Sequence, residues 1–178
     1  ALDSADVNNV SIAGESAGAF VSVDAAFLND PSEKPAYCAA MPDAPQPAAS
    51  LQNCLPQGYS LARPDLGSID GTLNVGLYDA SVQGLGSFYG GLLYKPVLSN
   101  SSGFQGPVYL FRQGSDVVVN YVYGRLLGRL DWECFTPLNL CQPYAKYPSA
   151  WGGKGLQQQL AVAGIGGTQV QAEIIENY

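Results

Sequence analysis

The sequence predicts an α/β fold, with a mainly parallel sheet flanked by helices. Short runs rich in β-branched and other apolar residues at 9–13, 107–111 and 168–175 are typical of strands. Amphipathic runs at 17–28 and 155–163 have the spacing of helices. Strands that alternate with helices form parallel sheets, because a parallel connection needs a long crossover.

In the N-terminal part, a β-branched run predicts a buried strand at 9–13, and an amphipathic run predicts a helix at 17–28 soon after it. Asp30-Pro31 predicts the end of this helix, because helical backbone is disfavoured just before a proline. The apolar side chains of the helix recur every three or four residues, which places them on one face. They are Phe20, Val23, Ala26 and Phe27.

The segment 30–72 is rich in Pro, Ala, Ser and Gly and has the composition of a loop. A structureless loop of this length is unusual inside a compact domain. We therefore expect short helical turns in it, packed over the sheet as a cap or insertion within one domain that spans 1–178. The apolar run at 73–78 predicts the next strand, and 107–111 predicts the clearest one.

Three further elements are predicted towards the C-terminus. Apolar residues that repeat every four positions predict a helix over 118–130, and the run at 155–163 predicts a second helix that ends at Gly164. The segment 168–175 alternates, with Val170, Ala172 and Ile174 on one face. This alternation is typical of a half-exposed strand near the edge of a sheet.

Composition limits the possible partners. The chain has 178 residues, of which 47% are hydrophobic and 13% charged, as expected of a globular domain with a full core. Its net charge of -7 would be repelled by a phosphate backbone, so nucleic acid is not an expected partner. The sequence contains no apolar run of about 18 residues, so we expect no transmembrane segment.

The four cysteines form two close pairs in loop-like sequence. Neither pair has Cys-x-x-Cys spacing and the chain contains no histidine, so we do not expect a zinc site. We expect local disulfides Cys38–Cys54 and Cys134–Cys141, and therefore a secreted protein. The alternative is a cytosolic protein in which all four are core thiols.

A Gly-x-Ser-x-Gly pattern, Gly14-Glu15-Ser16-Ala17-Gly18, joins the first predicted strand to the first predicted helix. This pattern predicts a nucleophile elbow, in which the serine stands at a sharp corner in a strained backbone conformation. We expect glycine at both ends because a Cβ would collide with a neighbouring strand or helix. The N–H of Ala17 would donate to an oxyanion. The alternative is a purely structural turn.

The segment "DSADVNNVSIAGESAGAFVSVDAAFLND" closely resembles the nucleophile-elbow region of secreted esterases and lipases of the α/β-hydrolase superfamily. A second segment, "GPVYLFRQGSDVVVNYVYGRLLG", resembles the region that carries the triad acid in that family, which corresponds to Asp116. Arg112 stands where the family frequently has His, and Asn120 where it frequently has Pro. The loop "RPDLGSIDGTLN", with Asp65 and Asp70, resembles the one before the family's sixth strand.

The resemblance implies an α/β-hydrolase fold and the hydrolysis of a carboxylic ester, from a small molecule or a lipid, through an acyl-enzyme. It implies Ser16 as the nucleophile, Asp116 as the acid, and neither a cofactor nor a metal. The alternative for Asp116 is the N-cap of the helix predicted after it. Asp131 is a poorer candidate because it follows that helix.

The catalytic base is missing, because the chain contains no histidine. The resemblance places that histidine after the last strand. We therefore expect the chain to be the C-terminal part of a hydrolase that lacks the front strands, with its base outside these residues. Its partner strands would come from the remaining segment or from another copy of the chain. A different base is a weaker possibility, since neither Glu15 nor Asp24 is placed to reach the Ser16 hydroxyl.

Two non-enzymatic functions are also compatible with the sequence. One is a catalytically inactive hydrolase-like protein that serves as an extracellular binding or self-assembling subunit. The other is a carbohydrate-binding module, suggested only by eleven tyrosines together with Trp132 and Trp151. Aromatic side chains more often contribute to packing.

Overall fold

A computed structural model describes residues 6, 8–35, 38, 40, 64–73, 77, 81–98, 104–127, 148–165 and 170–175. Within these residues the chain forms seven strands and two α-helices. The strands are β1 (Ser11–Glu15), β2 (Gly84–Phe88), β3 (Gly91–Leu92), β4 (Val108–Gln113), β5 (Tyr123–Arg125), β6 (Ser149–Gly152) and β7 (Val170–Ile175). The helices are α1 (Ala17–Phe27) and α2 (Gly153–Val162).

The main sheet has four strands in the order β1-β2-β4-β7, and all neighbouring strands are parallel. Leu85 of β2 lies opposite Ile12 of β1 on one side and opposite Val108 of β4 on the other. Val108 in turn lies opposite Val170 of β7. The prediction of a parallel sheet flanked by helices is confirmed, and parallel strands present all their carboxyl ends at the same edge.

Helix α1 follows β1 directly, as predicted, and ends at Phe27, where Leu28 adopts an extended conformation. Its predicted apolar face is buried along its whole length. The chain then forms a short 3-10 turn at Pro31–Glu33. Pro31 therefore opens the next turn, four residues beyond the helix end, in agreement with the predicted boundary.

The core lies between the main sheet and the two helices. Val23 and Phe27 of α1, Leu110 of β4, and Leu156 and Leu160 of α2 belong to one buried cluster. Burial of these side chains contributes about 1.5–3 kcal/mol each relative to exposure. The cluster attaches both helices to the sheet and thereby sets the position of its carboxyl edge.

A second, antiparallel sheet has the strand order β3-β6-β5 and was not predicted. The predicted helix over 118–130 is wrong wherever the structure describes it: residues 118–127 form bends, the strand β5 and a turn. The run is rich in Val and Tyr, which favour strands, and contains Gly124. Tyr123 of β5 packs on Trp151 of β6 with 4.7 Å between ring centres.

The strand predicted at 73–78 is also wrong at the residues that the structure describes. Leu73 lies in a bend and Leu77 in a turn, and they are 83% and 70% exposed. The strand next to β1 is instead β2, with the sequence "GLGSF". A Cβ on Gly86 would lie 2.9 Å from the Cβ of Ala13, so glycine permits the strands to pack where a propensity pattern indicates a loop.

The two C-terminal predictions are confirmed. Helix α2 covers the predicted run, and Gly164 follows it with a φ of 84°, a conformation that glycine adopts easily. Strand β7 is the last strand in the order of the main sheet. Its Val170 and Ala172 are partly buried while Gln171 is exposed, which is the expected alternation.

The described parts of the predicted insertion at 30–72 are its two ends. The ammonium group of Lys34 donates to the carboxylate of Asp65 and, at 2.7 Å, to the carbonyl oxygen of Gly67, so the two ends are tied together. Cys38 is half-buried, and its N–H donates to the carbonyl of Pro35. The other three cysteines lie outside the described residues, so the two disulfides remain a prediction.

Candidate active site

Ser16 is the single residue between strand β1 and helix α1. Its backbone has φ 52° and ψ −119°, in a region that residues other than glycine rarely enter. Its N–H donates to the carbonyl of Phe88 at 2.8 Å, and its carbonyl accepts from the N–H of Ala19 at 3.0 Å. The residue is exposed, so its side chain stands at the carboxyl edge of the sheet.

The hydroxyl of Ser16 makes no capping hydrogen bond to helix α1, although the residue occupies the N-cap position. A serine at this position usually accepts a hydrogen bond from the backbone two or three residues ahead. The structural function that serine usually has at a helix start is therefore not exercised here. The strained conformation has to be accounted for in another way.

The two glycines of the motif differ. A Cβ on Gly14 would lie 2.2 Å from the carbonyl oxygen of Gly18 and 2.7 Å from the hydroxyl oxygen of Ser22, so the expected collision with the helix is confirmed. Among the residues that the structure describes, a Cβ on Gly18 would meet nothing within 4 Å, so the expected collision is wrong there. Gly18 is exposed in the first turn of α1.

The start of helix α1 provides a positive local field beside Ser16. Ala17 is the first helical residue, and the first four N–H groups of a helix lack acceptors within it. The aligned peptide dipoles place about half a positive charge at this end. The first turn contains no acidic residue that would neutralise it, and Glu15 is exposed at the end of β1. The N–H of Ala17 is one of these four groups and comes directly after Ser16 in the chain.

Asp116 lies in a turn that follows strand β4. Its N–H donates to the carbonyl of Gln113 at 3.3 Å, and its Oδ1 accepts from the N–H groups of Val118 at 2.8 Å and Val119 at 3.0 Å. No helix follows within 118–127, so the interpretation of Asp116 as a helix N-cap is wrong. The carboxylate instead closes a turn, which sets its orientation.

Ser16 and Asp116 are brought to the same edge of the sheet. Ser16 follows β1, Asp116 follows β4, and β2 lies between these two parallel strands. The carbonyl of Phe88 accepts a hydrogen bond from the N–H of Ser16, and the carbonyl of Phe111 accepts one from the N–H of Tyr89. With strands spaced about 4.8 Å apart, the lines of β1 and β4 lie roughly 10 Å apart.

The remaining sequence candidates lie away from this pair or outside the described residues. Asp24 lies two turns along α1 from Ser16, about 12 Å by helical rise, and burial raises its pKa to about 6. Asp65 pairs with Lys34, and Asp70 lies in an exposed turn. Asp131 lies outside the described residues.

Tyr89 is a residue of this edge that sequence reasoning missed. It follows β2 directly and has a φ of 55°. Its ring packs edge-on against Phe111, with 5.1 Å between centres. A Cβ on Gly90 would lie 2.2 Å from the Cβ of Ala19, so α1 packs directly against this corner. The signal for this corner in the sequence is Tyr89-Gly90-Gly91, because a glycine pair permits a close approach of backbone and helix.

A groove of about 440 Å³ lies over β1, β2 and β4. It is lined by strand residues, among them Ala13, Gly86, Phe88 and Tyr109, and neither Ser16 nor Asp116 contributes to it. Over the described ranges, no three acidic or cysteine side chains lie close enough together to hold a metal ion. In the same ranges, no helix has the length and apolarity needed to cross a membrane.

Comparison of this chain with protein-family models, curated proteins and solved structures gives no significant match.

Proposed function

We propose that Ser16 is the nucleophile of a serine hydrolase that cleaves carboxylic esters through an acyl-enzyme. The observation that carries this proposal is the backbone of Ser16, with φ 52° at a corner between a parallel strand and a helix. Such a conformation costs about 1–3 kcal/mol and occurs mainly at functional sites. The residue is also exposed, and its hydroxyl makes no cap bond that would account for this conformation.

The proposed reaction begins with attack of the Ser16 hydroxyl oxygen on the ester carbonyl carbon. The N–H of Ala17 donates to the negative oxygen that forms, at the positive end of α1. The base takes the serine proton and returns it to the leaving alcohol, and Asp116 orients that base. Water then attacks the acyl-enzyme, which releases the carboxylic acid and restores the serine.

The base is a residue outside these 178, since they include no histidine. The remaining polypeptide of the hydrolase supplies this base at the carboxyl edge of the sheet. The resemblance of the segments around Ser16 and Asp116 to secreted α/β-hydrolases supports this assignment. A hydrolase-like fold and an extracellular location belong to the same proposal.

The test is covalent labelling of the full encoded polypeptide with a fluorophosphonate, followed by intact-mass and peptide analysis. We expect one label per chain, located on Ser16 and lost in Ser16→Ala. Ser11→Ala is the matched control, because Ser11 is also exposed but lies in regular strand backbone. A folded wild-type protein that takes up no label, or a label that persists in Ser16→Ala, contradicts the proposal.

The second candidate function is an inactive hydrolase-like scaffold that binds or assembles outside the cell. The absence of histidine from the chain favours it, because loss of a triad member removes roughly 10⁴-fold or more of kcat. The same labelling experiment separates the two candidates. For a scaffold, Ser16→Ala leaves both labelling and hydrolysis of p-nitrophenyl acetate at the wild-type level.

A further inference from the structure

We infer that Arg112 is a positioning residue that clamps the turn carrying Asp116 against helix α2. The inference rests on the proposed function and adds to it a residue that neither the motif nor the family pattern assigns. Arg112 is near the end of β4, four residues before Asp116.

The guanidinium of Arg112 is buried, with the residue only 3% exposed. It donates from Nη1 to the carbonyl oxygen of Gly153 and from Nη2 to Oε1 of Gln157, both at 2.9 Å. Nε is buried without a partner, and no carboxylate among the described residues pairs with the group. Burial of a guanidinium costs several kcal/mol. An apolar side chain at this position would avoid that cost but would lose both directed contacts with α2.

Arg112 also connects the two ends of the segment that carries Asp116. Its guanidinium carbon lies 5.6 Å from the ring centre of Tyr121, within the range of a cation–π contact. The carbonyl of Tyr121 accepts from the N–H groups of Lys154 at 3.0 Å and Gly155 at 3.4 Å. The residues before and after the acid are therefore joined to each other and to the first turn of α2.

Close packing leaves this segment little room to shift. A Cβ on Gly153 would lie 2.7 Å from the Cβ of Arg112, and a Cβ on Gly152 would lie 1.7 Å from the carbonyl oxygen of Asn120. The start of α2 thus touches backbone or side chain on both flanks of the turn. Removal of the guanidinium releases one flank, and the carboxylate of Asp116 moves with its turn.

The expected consequence is a loss of rate rather than of substrate binding. Among the described residues, the hydrogen bonds and the ring contact of the Arg112 guanidinium are with Gly153, Gln157 and Tyr121, so we expect it to act through the segment that carries Asp116. A displacement of about 1 Å in a catalytic group can lower the rate by up to about 100-fold. We expect Arg112→Met to lower kcat for p-nitrophenyl acetate by about 10- to 100-fold, with KM unchanged.

A double-mutant cycle in the full encoded protein tests the inference. The kcat and the rate of fluorophosphonate labelling are measured for Arg112→Met, Asp116→Ala and the double variant. If Arg112 acts through Asp116, the double variant is as slow as Asp116→Ala alone. If the contribution of Arg112 is purely structural, Arg112→Met will lower kcat by the same factor in the wild-type protein and in Asp116→Ala. That result overturns the inference.

Two further variants distinguish loss of the Arg112 contacts from a general effect on folding. Gln157→Leu removes one of the two hydrogen bonds of Arg112, and we expect a smaller loss of kcat that also disappears in the Asp116→Ala background. Lys154→Met is the control, because it removes a charge from the same helical turn and leaves the contacts of Arg112 in place. If Gln157→Leu is no slower than Lys154→Met, the clamp is refuted.

The outcomes also separate this inference from the proposed function. If the wild-type protein is not labelled at Ser16, or Asp116→Ala is as fast as wild type, the proposed function fails and the inference fails with it. If Asp116→Ala lowers kcat and the double variant is slower still by the factor seen for Arg112→Met alone, the proposed function is supported and only the inference about Arg112 is wrong.

Discussion

The carbonyl oxygen of Phe88 accepts the backbone N–H of Ser16 at 2.8 Å. This bond extends the parallel pairing of β1 and β2 one residue beyond Glu15, while the carbonyl of Ser16 already bonds Ala19 of helix α1. Ser16 is therefore held by the sheet on one side and by the helix on the other. Restraint from both sides maintains a φ of 52° that serine would leave if it were free.

Ser16→Gly is expected to stabilise the fold while it abolishes labelling. Glycine adopts a positive φ without strain, and the gain exceeds its larger loss of entropy, for a net increase of about 1 kcal/mol in the free energy of unfolding. Urea denaturation measures the change. Ser11→Gly serves as the control and should lose about 0.5–1 kcal/mol, because Ser11 has regular strand backbone. Equal destabilisation of both variants would show that Ser16 is not strained.

The two motif glycines are expected to respond oppositely to alanine. Gly14→Ala places a methyl group against the carbonyl of Gly18 and should lower the free energy of unfolding by 2 kcal/mol or more, within the usual range of ~1–3 kcal/mol for overpacking. Gly18→Ala enters open space on a helix and should raise it by about 0.5 kcal/mol. Thermal and urea unfolding measure both. A stable Gly14→Ala variant would mean that β1 and α1 pack less closely than the structure indicates.

Asp24 is expected to make stability depend on pH between about 4 and 6. Burial raises its pKa from 3.8 to about 6, so the folded state binds the proton more tightly than the unfolded state. The resulting stabilisation is complete below the unfolded pKa and is lost as the pH rises through the folded pKa. Allowing for partial solvent screening, the loss is about 1–2 kcal/mol.

Asp24→Asn should remove that part of the pH dependence, measured by urea unfolding from pH 4 to pH 7. Asp70→Asn, at an exposed position, controls for the change in net charge. If the difference in stability between Asp24→Asn and wild type is constant across this range, the Asp24 carboxyl is not the source of the dependence.

Two disulfides, Cys38–Cys54 and Cys134–Cys141, are expected in the mature protein. Alkylation with iodoacetamide should leave the intact mass unchanged before reduction and add four groups afterwards. Peptide mapping without reductant assigns the pairs. Addition of four groups to the folded or denatured protein before any reduction would refute both bonds and would favour a cytosolic protein.

The spacing of apolar residues and glycines over a few positions predicted those elements that are defined by neighbouring residues in the chain. The apolar spacing in 17–28 predicted the buried face of α1, and Gly164 marked the end of α2, because both signals act within one or two helical turns. The Gly-x-Ser-x-Gly motif predicted the corner at Ser16 for the same reason. Gly18 was the exception, since open space beside a residue is a property of distant packing.

Local patterns in the sequence are sufficient to establish the parallel α/β character, the strand–serine–helix corner and the alternation of β7. Three other features depend on tertiary contacts: the strand at Gly84–Phe88, the non-helical conformation of 118–127, and the contacts of Arg112 with Gly153 and Gln157. Gly86 lies in a strand because the neighbouring strand packs Ala13 closely against it. Tyr123 adopts extended backbone because its ring packs on Trp151 of the adjacent strand. Such contacts join residues far apart in the chain, so their energy overrides the preferences of each segment alone.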